Sequence, residues 1–194
     1  AYEIRPRDWS SDVCFSDLVA PFRVLRGVEV NIRADGSLDL ADDELASLDW
    51  VMASVHASFE RDPTERVLAA MENPYVDCIG HPTGRKIGKR APADVDIERL
   101  VEKALETGTF LEINAQPDRL DLNDNHIHAA KQAGVKLAIS TDSHSTDGFA
   151  CMRFGIDQAR RGWLTADDVI NTRSLPELRK LLKRNKPRVS QRRS

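Results

Sequence analysis

From residue 24 onward, short apolar runs alternate with stretches in which apolar residues recur every three or four positions. The runs are VLRGVEVNI (24–32), WVMASVH (50–56), VDCIGH (76–81), TFLEIN (109–114) and VKLAISTD (135–142). Their length and β-branched content predict buried strands. Between them, LADDELASL (40–48), PTERVLAAMEN (63–73), DIERLVEKALETG (96–108) and LNDNHIHAAKQAG (122–134) predict helices. Pro63 sits near a helix start, where its missing N–H leaves no bond unmade, and Gly108 and Gly134 are stop signals. After Asp142, CMRFGIDQARRGW and SLPELRKLLKR also read as helices. In TADDVIN, Thr165 reads as an N-cap with Asp167 and Asp168 in the first turn.

Strands alternating with helices imply an α/β fold with a parallel sheet covered by helices. An open doubly wound sheet and a closed barrel both satisfy five such strands. Neither GxGxxG nor GxxxxGK[ST] occurs, which argues against dinucleotide binding and P-loop nucleotide hydrolysis.

Composition narrows the setting without changing the fold. The 194 residues suit one domain with a sizeable core, and 41% hydrophobic with 30% charged residues is ordinary for a globular chain. No apolar run approaches the roughly 20 residues that span a bilayer, so no membrane partner is expected. The three cysteines are widely spaced without a CxxC, which fits a cytoplasmic, disulfide-free protein. The net charge of −3 hides an asymmetry. Residues 173–194 hold nine Lys/Arg and one acidic residue, Glu177, so that segment carries +8 and the remainder −11. Such a basic end suits nucleic acid or a solvated terminus equally.

The chemistry lies where the strands end, because sites in parallel α/β folds form at the carboxyl ends of strands. The first run carries Glu29, and the next two end at His56 and His81. The fourth ends at Asn114 and the fifth in STDSHSTD, with Asp142 and His144. Each residue alone has an ordinary structural explanation. Residues i and i+2 leave a strand on one side, so Asp142 and His144 are expected to converge. Together, Glu29, His56, His81, Asp142 and His144 predict a metal-binding catalytic rim. Mixed His, Asp and Glu without thiolate suits Zn²⁺ or Mn²⁺, and two such ions would suit in-line displacement at phosphorus. GRKIGKR (84–90) lies beside it. Arg85 is placed to clamp a phosphate oxygen, and Lys86, Lys89 and Arg90 to contact phosphate or DNA. His126 and His128 form a literal HxH but lie in a helical stretch, where residues two apart do not face each other, so they are not read as ligands.

GVEVNI, SVHASF, GHPTGR, LEINAQPDRLDL and STDSHS resemble, in order, the PHP (polymerase and histidinol phosphatase) metal-dependent phosphoesterases. SLDLADDELASLDWVMASVHASF, NPYVDCIGHPTGR and MRFGIDQARRGWLTADDVINTRSLPEL resemble most the C-terminal PHP domain of bacterial family X DNA polymerases. The resemblance implies a distorted TIM-like (βα)7 barrel holding two to three divalent metals, Mn²⁺ or Zn²⁺. It also implies 3′–5′ exonuclease action on DNA ends in the bacterial cytosol, with a polymerase domain upstream on the full-length chain. Glu29 would bridge metals, His56 and His81 would complete one site, and Asp142 and His144 would serve the others. Asn114 matches the end of the family's EIN strand.

The family's HxH on its first strand and TDH-like motif on its second are absent, and about five of the seven βα units are present. Only the site of Glu29, His56 and His81 keeps its ligands, so at most one well-formed metal site and a weak or inactive enzyme are expected. The expected organisation is a leader at 1–18, a partial PHP domain at 19–185 and a basic tail at 186–194. Within the leader, DWSSDVCFSDL (8–18) differs only at Phe15 from the in-frame translation of a common sequencing adapter, which makes translated adapter its expected origin. A free-standing phosphatase acting on a small phosphomonoester, such as histidinol phosphate, and a non-catalytic PHP remnant are the alternatives.

Overall fold

A computed structural model describes residues 22–185. The proposed leader at 1–18, with its adapter-like segment, and the basic tail at 186–194 lie outside the described residues. All five expected strands form: β1 (Gly27–Asn31), β2 (Trp50–Ser54), β3 (Cys78–Ile79), β4 (Phe110–Asn114) and β5 (Leu137–Ser140). They make one parallel sheet in the order β1-β2-β3-β4-β5. A doubly wound sheet reverses its order at a switch point. Here the order never reverses, as in an arc of barrel wall, and the sheet is open among the described residues.

Six α-helices are described: α1 (Asp42–Ala46), α2 (Thr64–Glu72), α3 (Ile97–Thr107), α4 (Asp124–Ala133), α5 (Met152–Arg161) and α6 (Leu175–Leu181). Their ends follow local chemistry. The Asp96 carboxylate accepts from Arg99 N–H at the start of α3, and Asn123 accepts from His126 N–H at the start of α4. Gly108 and Gly134 take left-handed conformations at the two C-termini, as their positions predict. TADDVIN forms two short 3₁₀ turns instead of a helix. Thr165 does cap the first, with its N–H and hydroxyl both donating to Asp168.

Alternation along each strand sorts the side chains onto two faces. Val30, Val51, Ala53, Ile79, Leu111, Ile113, Leu137 and Ile139 form the main core with Val67 and Met71 of α2, Leu100 of α3, Ile127 of α4 and Ala159 of α5. Gly155 lets α5 lie close to the sheet, since a Cβ there would stand 2.5 Å from Ile139 Cγ2. The opposite face is chemically different. Cys78, Phe110 and Ala138 form a small cluster there with Ile170 and Leu182, flanked by Trp50, Met52, Leu178 and Leu181. Towards the carboxyl ends of the strands, the same face carries Glu29, Asn31, Ser54, Glu112, Asn114 and Ser140.

Beyond α6, Lys183 and Arg184 tie down the amino ends of β2, β3 and β4. Lys183 Nζ donates to Met71 O (2.8 Å) and Thr109 Oγ1 (3.0 Å). The Arg184 guanidinium donates to Leu48 O (2.6 Å), Tyr75 O (2.7 Å) and the Asp77 carboxylate. Among the described residues, no helix is long and apolar enough to cross a membrane.

Candidate metal centre

Glu29 projects from the middle of β1, whereas His56 and His81 each follow their strand by two residues. Oε1 of Glu29 lies 3.4 Å from His56 Nε2 and 3.1 Å from His81 Nε2. The three donor atoms lie within 4.8 Å of one another, and this trio is the one such group among the described residues. The two imidazoles meet edge to face with centroids 5.3 Å apart. His81 is buried, while Glu29 and His56 face the cleft.

The local backbone is shaped to deliver these groups. His81 sits at φ +28, in the left-handed region that non-glycine residues rarely adopt. Its N–H donates to the buried carboxylate of Glu112, which also accepts from Ser140 Oγ. Gly80 precedes it because a Cβ there would stand 2.2 Å from Ser54 Oγ. On the other side, His56 Nδ1 is 2.5 Å from Asn31 Oδ1. Asn31 in turn donates to Asp39 from both its N–H (2.9 Å) and Nδ2 (2.5 Å). Bonding of Nδ1–H to Asn31 leaves Nε2 as the His56 nitrogen that faces Glu29, the arrangement by which outer partners orient metal-binding histidines.

Electrostatics reinforce the grouping. Hydrogen bonds from His56 and His81 hold the Glu29 carboxyl far below the usual carboxylate range. Burial pulls the His81 imidazole down, but Glu29 and Glu112 outweigh it and its pKa lies above the ordinary value. Burial pushes Glu112 up to about 7, against His81 and the Ser140 hydroxyl. One carboxylate oxygen between two imidazole nitrogens, with one ring already committed at its far nitrogen, fits a divalent cation of the Zn²⁺ or Mn²⁺ kind.

These residues open onto a cleft of about 550 Å³, which Lys86, Gln116, Asp118, Arg119, Asp142 and His144 also line. Asp142 and His144 therefore reach the same cleft as the trio, but they do not join it. Nor do they leave a strand on one side, as their i, i+2 spacing suggested. β5 ends at Ser140, and Asp142 turns away at φ +49. Its carboxylate takes a hydrogen bond from Asn114 Nδ2 (3.2 Å) and lies 3.5 Å from Arg119 Nε. His144 is exposed, with Nδ1 2.9 Å from Asp142 O.

The basic run divides in a way its sequence does not reveal. Arg85 is turned away from the cleft, donating from Nε to Arg119 O (2.7 Å) and from Nη2 to Leu120 O. Arg90 donates to Gly84 O (2.8 and 2.6 Å) and stacks 3.7 Å over the Phe59 ring. Both guanidiniums make internal hydrogen bonds, and neither Arg85 nor Arg90 lines the cleft. Lys86 lines the cleft, 3.9 Å from Asp118, and Lys89 is exposed. His126 caps into α4, and His128 packs edge-on against Trp163 with centroids 4.9 Å apart, so the HxH stays apart from the cleft.

Three residues of this site escape a reading of strand ends: Glu112, Asn31 and Arg119. A lone glutamate inside the apolar TFLEIN, two positions before Asn114, is the one available signal for Glu112. Asn31 stands two positions after Glu29 and so shares its face.

No protein-family model matches the chain. It is 46% identical over 167 residues to the DNA polymerase/3′-5′ exonuclease PolX of Bacillus subtilis (strain 168), an alignment that covers 84% of this chain and 29% of that protein. It is 36% identical over 179 residues to a probable phosphatase of Thermoanaerobacter sp. (strain X514), covering 86% of this chain and 70% of the relative. A probable phosphatase of Acetivibrio thermocellus is 35% identical over 133 residues, 63% of this chain and 53% of its own length. Two of these relatives are named as phosphatases and one as an exonuclease, and the Glu–His–His donor set on a parallel α/β sheet is compatible with such chemistry. The chain belongs to the PHP family.

Proposed function

We propose that this domain is a metal-dependent phosphoesterase that trims DNA at 3′ ends, the exonuclease module of a family X polymerase. The observation that carries the reading is the convergence of Glu29, His56 and His81 at a cleft that Lys86 also lines. The PolX relative, of whose length this chain spans 29%, supports DNA as the substrate. Glu29, His56 and His81 would hold the ion. A divalent cation there supplies Lewis acidity towards a phosphoryl oxygen and lowers the pKa of water. The protein's own part is orientation. Asn31 fixes the His56 ring, and Glu112 fixes the His81 backbone. Lys86 and Lys89 draw in the phosphodiester backbone. Asp142 and His144, with Asn114 steadying Asp142, would serve further metal positions. One complete donor trio makes turnover by this chain slow, in the cytoplasmic setting that its cysteine usage suits.

The second reading is a phosphatase acting on a small phosphomonoester. The probable phosphatase of Thermoanaerobacter favours it, because this chain spans 70% of that protein. One assay separates the two. The chain is incubated with Mn²⁺ and either a 5′-labelled primer–template or p-nitrophenyl phosphate. Slow shortening of the primer, lost in His56→Ala, supports the exonuclease. Release of nitrophenol with the primer left intact would overturn it in favour of the phosphatase. Rapid primer turnover would defeat the expectation of weak activity.

A further inference from the structure

We infer that Arg119 is the phosphoryl-binding residue of the cleft and that Arg85 is the residue that positions it. The inference rests on the phosphoesterase reading above and assigns within it the group that recognises the phosphoryl oxygens.

Arg119 is the arginine that lines the cleft, in company with Glu29, His56 and His81. Its side chain is only 12% exposed, yet its donors are poorly used. Among the described residues, the one carboxylate within 4.0 Å of it is Asp142, 3.5 Å from Nε, and Nη1 is enclosed without a partner. A guanidinium carries five N–H donors in a fixed fork. Holding one out of water with so few acceptors is unfavourable unless an anion completes the set. A phosphoryl group has the planar pairs of oxygens that such a fork takes up bidentately. Lys86, the cleft's other basic residue with a permanent charge, is a flexible point charge already shared with Asp118 at 3.9 Å.

The segment bearing Arg119 is held still. Arg119 N–H and Leu120 N–H both donate to Gln116 O (2.8 and 3.0 Å), and Leu120 sits at φ +47. Arg85 spans the carbonyls of Arg119 and Leu120, and Ile87 N–H donates to Asp118 O at 2.6 Å. Arg85 thus spends its fork on the backbone that aims Arg119. A donor fixed before the ligand arrives binds without paying for reorganisation.

The test is isothermal titration of inorganic phosphate into the chain, with Mn²⁺ and separately in EDTA, beside a titration of Mn²⁺ itself. Arg119→Ala is expected to weaken phosphate binding about tenfold or more, and Arg119→Lys less, because a lysine keeps the charge but not the fork. Arg85→Ala should weaken it several-fold. Mn²⁺ affinity should stay within about twofold in all three. Thermal melts confirm folding, and Arg119→Lys carries the test if the alanine variant does not fold. Unchanged phosphate affinity in the Arg119 variants would overturn the inference. So would an equal loss of Mn²⁺ affinity, which would make Arg119 a support of the metal centre. The parent reading fails separately. Arg119-dependent phosphate binding without uptake of Mn²⁺ supports Arg119 and defeats the metal centre. Uptake of Mn²⁺ that Glu29→Gln abolishes, with phosphate binding indifferent to Arg119, does the reverse.

Discussion

The Nδ1 atom of His56 lies 2.5 Å from Oδ1 of Asn31, and Asp39 holds Asn31 from the far side with two hydrogen bonds. This relay of three exposed side chains sets which imidazole nitrogen faces Glu29. Outer partners of metal-binding histidines typically contribute about 10–100-fold in affinity. Asn31→Ala is therefore expected to weaken Mn²⁺ binding by about that factor while changing stability by less than about 1 kcal/mol. Calorimetric titration of the metal, beside urea unfolding, checks both halves.

Glu112 supplies a pH dependence. Its folded pKa of about 7 stands above the ordinary carboxyl value of 4.5, so between these values the native state binds more protons than the unfolded one. Its contribution to stability is present below about pH 4.5 and is lost as pH rises through 7. The full swing is on the order of 3 kcal/mol. In EDTA, Glu112→Gln should flatten this fall. An unfolding series from pH 4.5 to 8 in which wild type and variant run parallel would refute the assignment.

On the exonuclease reading, binding of DNA should follow salt through Lys86 and Lys89. Lys86→Ala and Lys89→Ala are each expected to reduce the slope of log affinity against log salt by about 1. Arg90→Ala should leave the slope unaltered, because its guanidinium is committed to Gly84 O and the Phe59 ring. Fluorescence anisotropy of a labelled single strand across a salt series distinguishes them.

The ion pair of Asp77 and Arg184 is buried, with side-chain exposures of 0% and 12%. Removing one partner leaves a charge uncompensated and costs about 3–5 kcal/mol. Arg184→Met should destabilise by that order, whereas Asp77→Leu with Arg184→Met should cost less than the two single changes summed. Denaturant unfolding of the cycle measures the coupling.

Much of this was legible in the sequence, for identifiable reasons. Each β strand is short, apolar and bounded by turn residues, so its period survives without tertiary information. The grouping of His56 and His81 was readable because parallel strands deliver their carboxyl ends to one rim, and Glu29 because it is a lone carboxylate inside an apolar strand. Asp142 shows the limit of that logic. A left-handed turn two residues past β5 changes where the side chain points, and no spacing rule encodes it. Arg85 shows another. Proximity in sequence to His81 said nothing of the carbonyls of Arg119 and Leu120, which come from a distant loop. Nor could composition tell which of the basic residues near the site would have its donors already taken.

Arg184 contacts Asp77 across 107 positions and Leu48 across 136. Loop closure over such separations is entropically unfavourable and slow, and its benefit arrives only when both ends are present. A nascent chain leaving the ribosome therefore has its strands and cleft residues outside long before the residue that fastens their amino ends together. Until Arg184 emerges, Asp77 is a buried carboxylate without its counter-ion. The sheet is a scaffold awaiting Arg184, and the arrival of that residue sets when the domain becomes durable.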